Sequence, residues 1–143
     1  MNTMQFSVEI NANKATVWDI LWQDGTFREW AGIIDPGTHI VGELHEGNEV
    51  QFISASGYGV TSLVAEMQPN SYMLFKHQAD TKDEGKAARE KEWTVGEESY
   101  SLEENEGKTI LTVSFGVPQE QEEYFAENYP KALAKIKELA ENQ

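Results

Sequence analysis

Apolar and polar residues alternate strictly over positions 4–10. Met4, Phe6, Val8 and Ile10 fall on one face, and Gln5, Ser7 and Glu9 on the other. A period of two belongs to a strand with one buried face, so a strand is predicted here. The period then lengthens. Val17 and Leu21, like Trp18 and Trp22, stand four residues apart in a helical stripe, with Asn13 placed as its N-cap. Asp24-Gly25 interrupts the stripe, and a second short helix is predicted over residues 26–30, ending before Gly32. Asp35-Pro36-Gly37 reads as a turn.

Short apolar-rich runs follow at 39–44, 49–55, 58–67 and 72–78. They are separated by Glu46-Gly47-Asn48, Ser56-Gly57 and Gln68-Pro69-Asn70-Ser71. Runs this short between turns this close predict antiparallel strands. Residues 80–92, DTKDEGKAAREKE, hold no large apolar side chain and predict a solvated loop or exposed flap. Two further strands are predicted. The first is 98–104, with Tyr100 and Leu102 on one face; the second is 108–117, with Leu111, Val113 and Phe115 on one face. Asn105-Glu106-Gly107 makes the hairpin between them. Over 119–142, Phe125, Tyr129, Ala132, Leu133, Ile136, Leu139 and Ala140 recur at helical spacing. A helix of that length spans roughly 36 Å, enough to cover the apolar face of a whole sheet. Pro130 is its misfit, since proline removes the bond to residue 126 and predicts a kink or a break.

Composition narrows the function. At 143 residues the chain is expected to be one domain, 1–143, and folding removes roughly 70% of its surface from water. There is no cysteine, so neither a disulfide nor a zinc–thiolate site supports it. The net charge of −14 argues against tracking nucleic-acid phosphates and against anchoring to anionic lipid. Four Trp, five Tyr and six Phe contradict a disordered acidic chain, even at a mean hydropathy of −0.56. No run approaches the ~20 apolar residues of a membrane span. The segment MNTMQFSVEI lacks the basic and apolar regions of a signal peptide, so a cytoplasmic location is expected.

The element order and several short motifs resemble the START/Bet v 1-like (SRPBCC) superfamily, and within it the branch of Hsp90-ATPase activator homologues. The matching pieces begin with Ile10-Asn11-Ala12 leading into Ala15-Thr16-Val17-Trp18, then Phe27-Arg28-Glu29-Trp30 and Glu66-Met67-Gln68-Pro69. They continue with Met73-Leu74-Phe75, residues 98–103, residues 107–112, and the last helix with Tyr129 and Leu133. The resemblance implies an α+β helix-grip fold. In that fold a seven-stranded antiparallel sheet wraps a long C-terminal helix, and two short helices follow the first strand. It also implies a cavity for a small hydrophobic or amphipathic molecule such as a lipid, polyketide or flavonoid. Other branches are cyclases, hydrolases or Hsp90 activators, and fold alone does not choose among them. Relatives often close the 73–77 strand with an aromatic; here it ends in His77.

His77 shares strand parity with Met73 and Phe75. It is either a pocket residue able to orient a carbonyl or move a proton, or a strand-end histidine bonded to backbone or water. Trp18 and Trp22 read as core, whereas Trp30 and Trp93 are expected near a cavity mouth. Tyr100, Tyr124 and Tyr129 can each set a hydroxyl in an apolar wall, as ligand pockets require. With Phe52, Phe75, Phe125 and Leu133, residues Trp30, His77, Trp93, Tyr100 and Tyr129 are the expected ligand-binding set. His39 and His45 lie about 20 Å apart on an extended segment, so no joint metal site is expected. Ser56-Gly57-Tyr58-Gly59 lacks a following helix and lysine and reads as a hairpin turn rather than a phosphate loop. No nucleophile-elbow sequence occurs, so no hydrolase triad is expected. The acidic runs 97–106 and 119–127 read as solvated faces. No cofactor, nucleic acid or membrane partner is expected; the chain is taken as a monomer or weak homodimer. Acid–base catalysis of the cyclase type and a protein-docking role are the alternatives to ligand binding.

Overall fold

A computed structural model describes residues 2–82, 85–87 and 96–143 of the chain. The elements are β1 (Asn2–Ile10), α1 (Lys14–Trp22), α2 (Asp24–Ile34), β2 (His39–Val41), β3 (Glu49–Ile53) and β4 (Tyr58–Gln68), then β5 (Tyr72–Lys82), β6 (Gly85–Ala87), β7 (Glu97–Asn105), β8 (Lys108–Val117) and α3 (Glu122–Glu141). Seven strands form one antiparallel sheet in the order β1-β8-β7-β5-β4-β3-β2, and β6 is a short addition beside the end of β5. The α+β helix-grip architecture is therefore present. β1 pairs with β8 from Asn2↔Val117 to Ile10↔Thr109. The two short helices thus carry the chain from one sheet edge to the other.

Local chemistry sets the helix limits. Asn13 caps α1, its side chain accepting from the Thr16 N–H at 2.8 Å. The break between α1 and α2 is the single residue Gln23, in extended conformation. Asp24-Gly25, expected to interrupt, instead opens α2, where a carboxylate suits the positive end of the helix dipole. Nor does Gly32 end that helix. It runs to Ile34 because Pro36 disfavours helical backbone at Asp35. α3 continues unbroken through Pro130, whose exposed position leaves the freed Ala126 carbonyl open to water. A 3-10 turn over Gln119–Gln121 precedes it, so the α-helix begins later than the pattern predicts.

Two register shifts in the β4–β5 pair bend the sheet, one between Thr61 and Ser62 and one between Val64 and Glu66. The second resets parity, so Met67 rather than Glu66 packs on the core opposite Met73. The stretch 80–92 departs from its expectation in part. Residues 80–82 extend β5 and 85–87 pair back on it, while 83–84 and 88–92 lie outside the described residues. The core joins α1 (Val17, Leu21), the sheet (Phe75, Leu111, Val113) and α3 (Ile136). α3 rests on α2, β1 and α1, and its first half sets Phe125 and Tyr129 against Phe115 of the sheet. No helix among the described residues is long and apolar enough to cross a membrane.

Candidate functional site

A cavity of about 490 Å³ lies where the sheet curves away from the start of α3. α2 supplies Phe27, Trp30, Ala31 and Ile34; the sheet supplies Phe52, Val60, His77, Glu98 and Tyr100; α3 supplies Tyr124, Phe125 and Tyr129. The volume falls within the range of small-molecule sites, and the wall is mostly apolar, as such sites are. At its open side Tyr124, half exposed, donates its hydroxyl to the Ile34 carbonyl in the last turn of α2. This bond ties the two helices across the mouth. Gly59 lines the wall where β4 passes β3, and a Cβ there would stand 1.6 Å from the Phe52 carbonyl oxygen. Only glycine permits that approach.

One polar row crosses this apolar wall. Ser62 Oγ lies 2.6 Å from His77 Nδ1, and His77 Nε2 lies 3.5 Å from Glu98 Oε1. The other Glu98 oxygen accepts from the Tyr100 hydroxyl, which lies 3.3 Å from the Tyr129 hydroxyl. The histidine tautomer that suits both neighbours carries its proton on Nε2, toward the carboxylate. Burial, then the charge of Glu98, holds both tyrosine pKa values well above 10, so these hydroxyls stay protonated. At the rim, partial desolvation raises the Asp35 carboxyl above its usual range, opposed by a hydrogen bond from Ser54. The order serine, histidine, carboxylate is that of a hydrolase triad, yet Ser62 is wholly buried and does not line the cavity. It orients the imidazole and cannot meet a substrate.

Of the expected set, Trp30, Phe52, His77, Tyr100, Phe125 and Tyr129 line the cavity. Phe75 does not. It is enclosed by Trp22, Phe52 and Tyr100 at ring separations of 5.5, 5.0 and 6.3 Å, and is core. Leu133, one turn beyond Tyr129, is likewise buried in the core and does not line the cavity. Trp93 lies outside the described residues. Glu98 corrects the reading of 97–106 as a solvated face: it shares strand parity with Tyr100 and Leu102, which the alternation places on one face. Asp35 and Ser54 carried no such signal, because a loop has no periodicity. His39 and His45 each bond a neighbouring backbone carbonyl at 3.0 Å, and no cluster of metal-binding side chains occurs among the described residues.

A family model described as activator of Hsp90 ATPase homolog 1-like protein matches residues 11–141. No curated protein matches the chain. Among solved structures, the Aha1 dimer from Colwellia psychrerythraea is similar at 20% identity and TM-score 0.71, covering 99% of this chain and 97% of that one. Protein MLL2253 from Mesorhizobium loti is similar at 14% identity and TM-score 0.74, covering 99% and 98%. DynU16, from the dynemicin biosynthetic locus, is similar at 13% identity and TM-score 0.70 over 96% of this chain. This chain spans only 46% of DynU16. At these identities the likeness is one of fold.

Proposed function

The chain belongs to the family of activator of Hsp90 ATPase homolog 1-like proteins, and on that membership together with its cavity we propose that it binds a small hydrophobic or amphipathic molecule between sheet and terminal helix. The observation that carries this reading is a space of about 490 Å³ with an aromatic wall and one polar row. A ligand that left about 250 Å² of apolar surface there would gain about 6 kcal/mol before the costs of association. Phe27, Trp30, Phe52 and Phe125 supply contact area, and the row from His77 to Tyr129 supplies orientation. A monomer or weak homodimer suffices for this role; the Colwellia relative is named as a dimer.

Native mass spectrometry of the protein purified without denaturation is expected to reveal a bound small molecule that is lost on unfolding. Titration with the uncharged probes N-phenyl-1-naphthylamine and 2-naphthol gives a second readout. The variant Ile34→Trp, which fills the mouth, is expected to weaken binding at least tenfold while keeping the fold. A protein that carries no such molecule and binds neither probe rejects the reading.

One observation favours a second reading, acid–base catalysis of the cyclase type: His77, Glu98, Tyr100 and Tyr129 converge on one cavity. Exchange of the α-protons of 2-tetralone in D2O, followed by NMR, tests it. Acceleration lost in His77→Gln supports catalysis, and no acceleration over buffer rejects it. A docking role asks for a broad exposed apolar patch. Among the described residues the exposed large apolar side chains are Ile110 and Tyr124, on separate elements, so this third role gains no support.

A further inference from the structure

The polar row has a direction, and that direction selects the ligand. The Tyr100 hydroxyl donates its one proton to a Glu98 oxygen, which accepts it as a hydrogen bond. What Tyr100 then offers Tyr129 is a lone pair, so at 3.3 Å Tyr129 is the donor. The proton of Tyr129 is committed inward, and its remaining lone pair is what a bound molecule meets. His77, the one basic side chain among the described residues of the wall, faces Glu98. Among the described residues no lysine or arginine lines the cavity, whereas two carboxylates, Glu98 and Asp35, do. Lys76, on the same strand as His77, is exposed and pairs with Glu97 at 3.9 Å. Among the described residues an anion inside would meet carboxylates and lone pairs and no lysine or arginine, in a wall that is mostly apolar.

Resting on the binding reading above, we propose that the cavity takes an apolar molecule with a hydrogen-bond-donor head, an alcohol, phenol or protonated amine, and rejects carboxylates and other anions. The raised pKa values of Tyr100 and Tyr129 agree with this, because neither can become a phenolate that would reverse the row.

The test uses three probes with one ring system: 2-naphthol, 2-naphthylmethylamine and 2-naphthoate. Each is titrated calorimetrically into the whole protein at neutral pH. Because a net charge of −14 repels any anion from the surface, the titrations are run in 0.5 M NaCl, where the screening length is about 4 Å. The naphthol and the amine are expected to bind, and the naphthoate at least tenfold more weakly. Glu98→Gln changes the total charge by one, yet it is expected to shrink that discrimination several-fold. Where Glu98→Gln does not fold, Tyr129→Phe keeps the carboxylate and removes the terminal acceptor. It is expected to weaken 2-naphthol several-fold without admitting the naphthoate. Naphthoate binding as tight as naphthol overturns the donor-head proposal and leaves the binding reading intact. Discrimination unchanged in Glu98→Gln also overturns it. Failure of all three probes removes both.

Discussion

Trp30 shows how one side chain serves two structures. Its ring forms part of the cavity wall, while its indole N–H donates 3.2 Å to the Leu21 carbonyl, in the last turn of α1 where helix carbonyls lack internal donors. Trp30→Phe keeps most of the wall and orphans a buried acceptor, so stability is expected to fall by about 1–3 kcal/mol in urea denaturation. Asp35 behaves oppositely. Its carboxyl pKa is raised in the folded chain, chiefly by desolvation, so the native state holds that proton more tightly than the unfolded state does. Its contribution to stability is thus present at low pH and lost as pH rises through the raised pKa. Asp35→Asn is expected to stabilise by up to about 0.5 kcal/mol at pH 7. No gain is expected at about pH 3, below the ordinary aspartate range. Paired melts at the two pH values check this, and a gain equal at both contradicts it.

At the scale of elements, alternation is legible and its resets are not. The period-two runs gave the strands, and the stripes gave three helices in the right order. Asp24-Gly25 and Gly32 do not bound α2, because the burial of Phe27, Trp30 and Ala31 outweighs local punctuation and extends the helix on both sides. The bulge between Val64 and Glu66 is invisible in the sequence, since only the partner strand reveals that two residues oppose one. Glu98 was readable by parity and was obscured by composition, because a carboxylate in an acidic run is usually solvated. Pro130 breaks the helical pattern in the sequence, and its exposure explains why α3 tolerates it. Pro130→Ala restores the bond to Ala126 and is expected to raise stability by about 1–3 kcal/mol. A thermal or urea midpoint that falls instead would mean α3 depends on the geometry proline imposes.

For the molecule as a whole, charge is the dominant surface fact. Lysine pairs such as Lys76–Glu97 and Lys108–Glu9, each at 3.9 Å, are solvent-facing, and such pairs contribute little each. They leave a large excess of carboxylates and a net charge of −14. Self-repulsion opposes compaction, so raising NaCl from about 10 to 150 mM is expected to raise the melting temperature by a few degrees as the screening length shortens. A midpoint insensitive to salt contradicts this.

The pairing of β1 with β8 also sets a timetable for synthesis. Asn2 meets Val117, so the first strand emerges about 115 residues before its partner is complete. At about 5–20 residues per second the ribosome needs roughly 6–25 s to deliver it. During that interval Met4, Phe6, Val8 and Ile10 have no sheet to join. Nascent chains halted before residue 108 are therefore the species that should engage holding chaperones, and chains released after β8 should let them go.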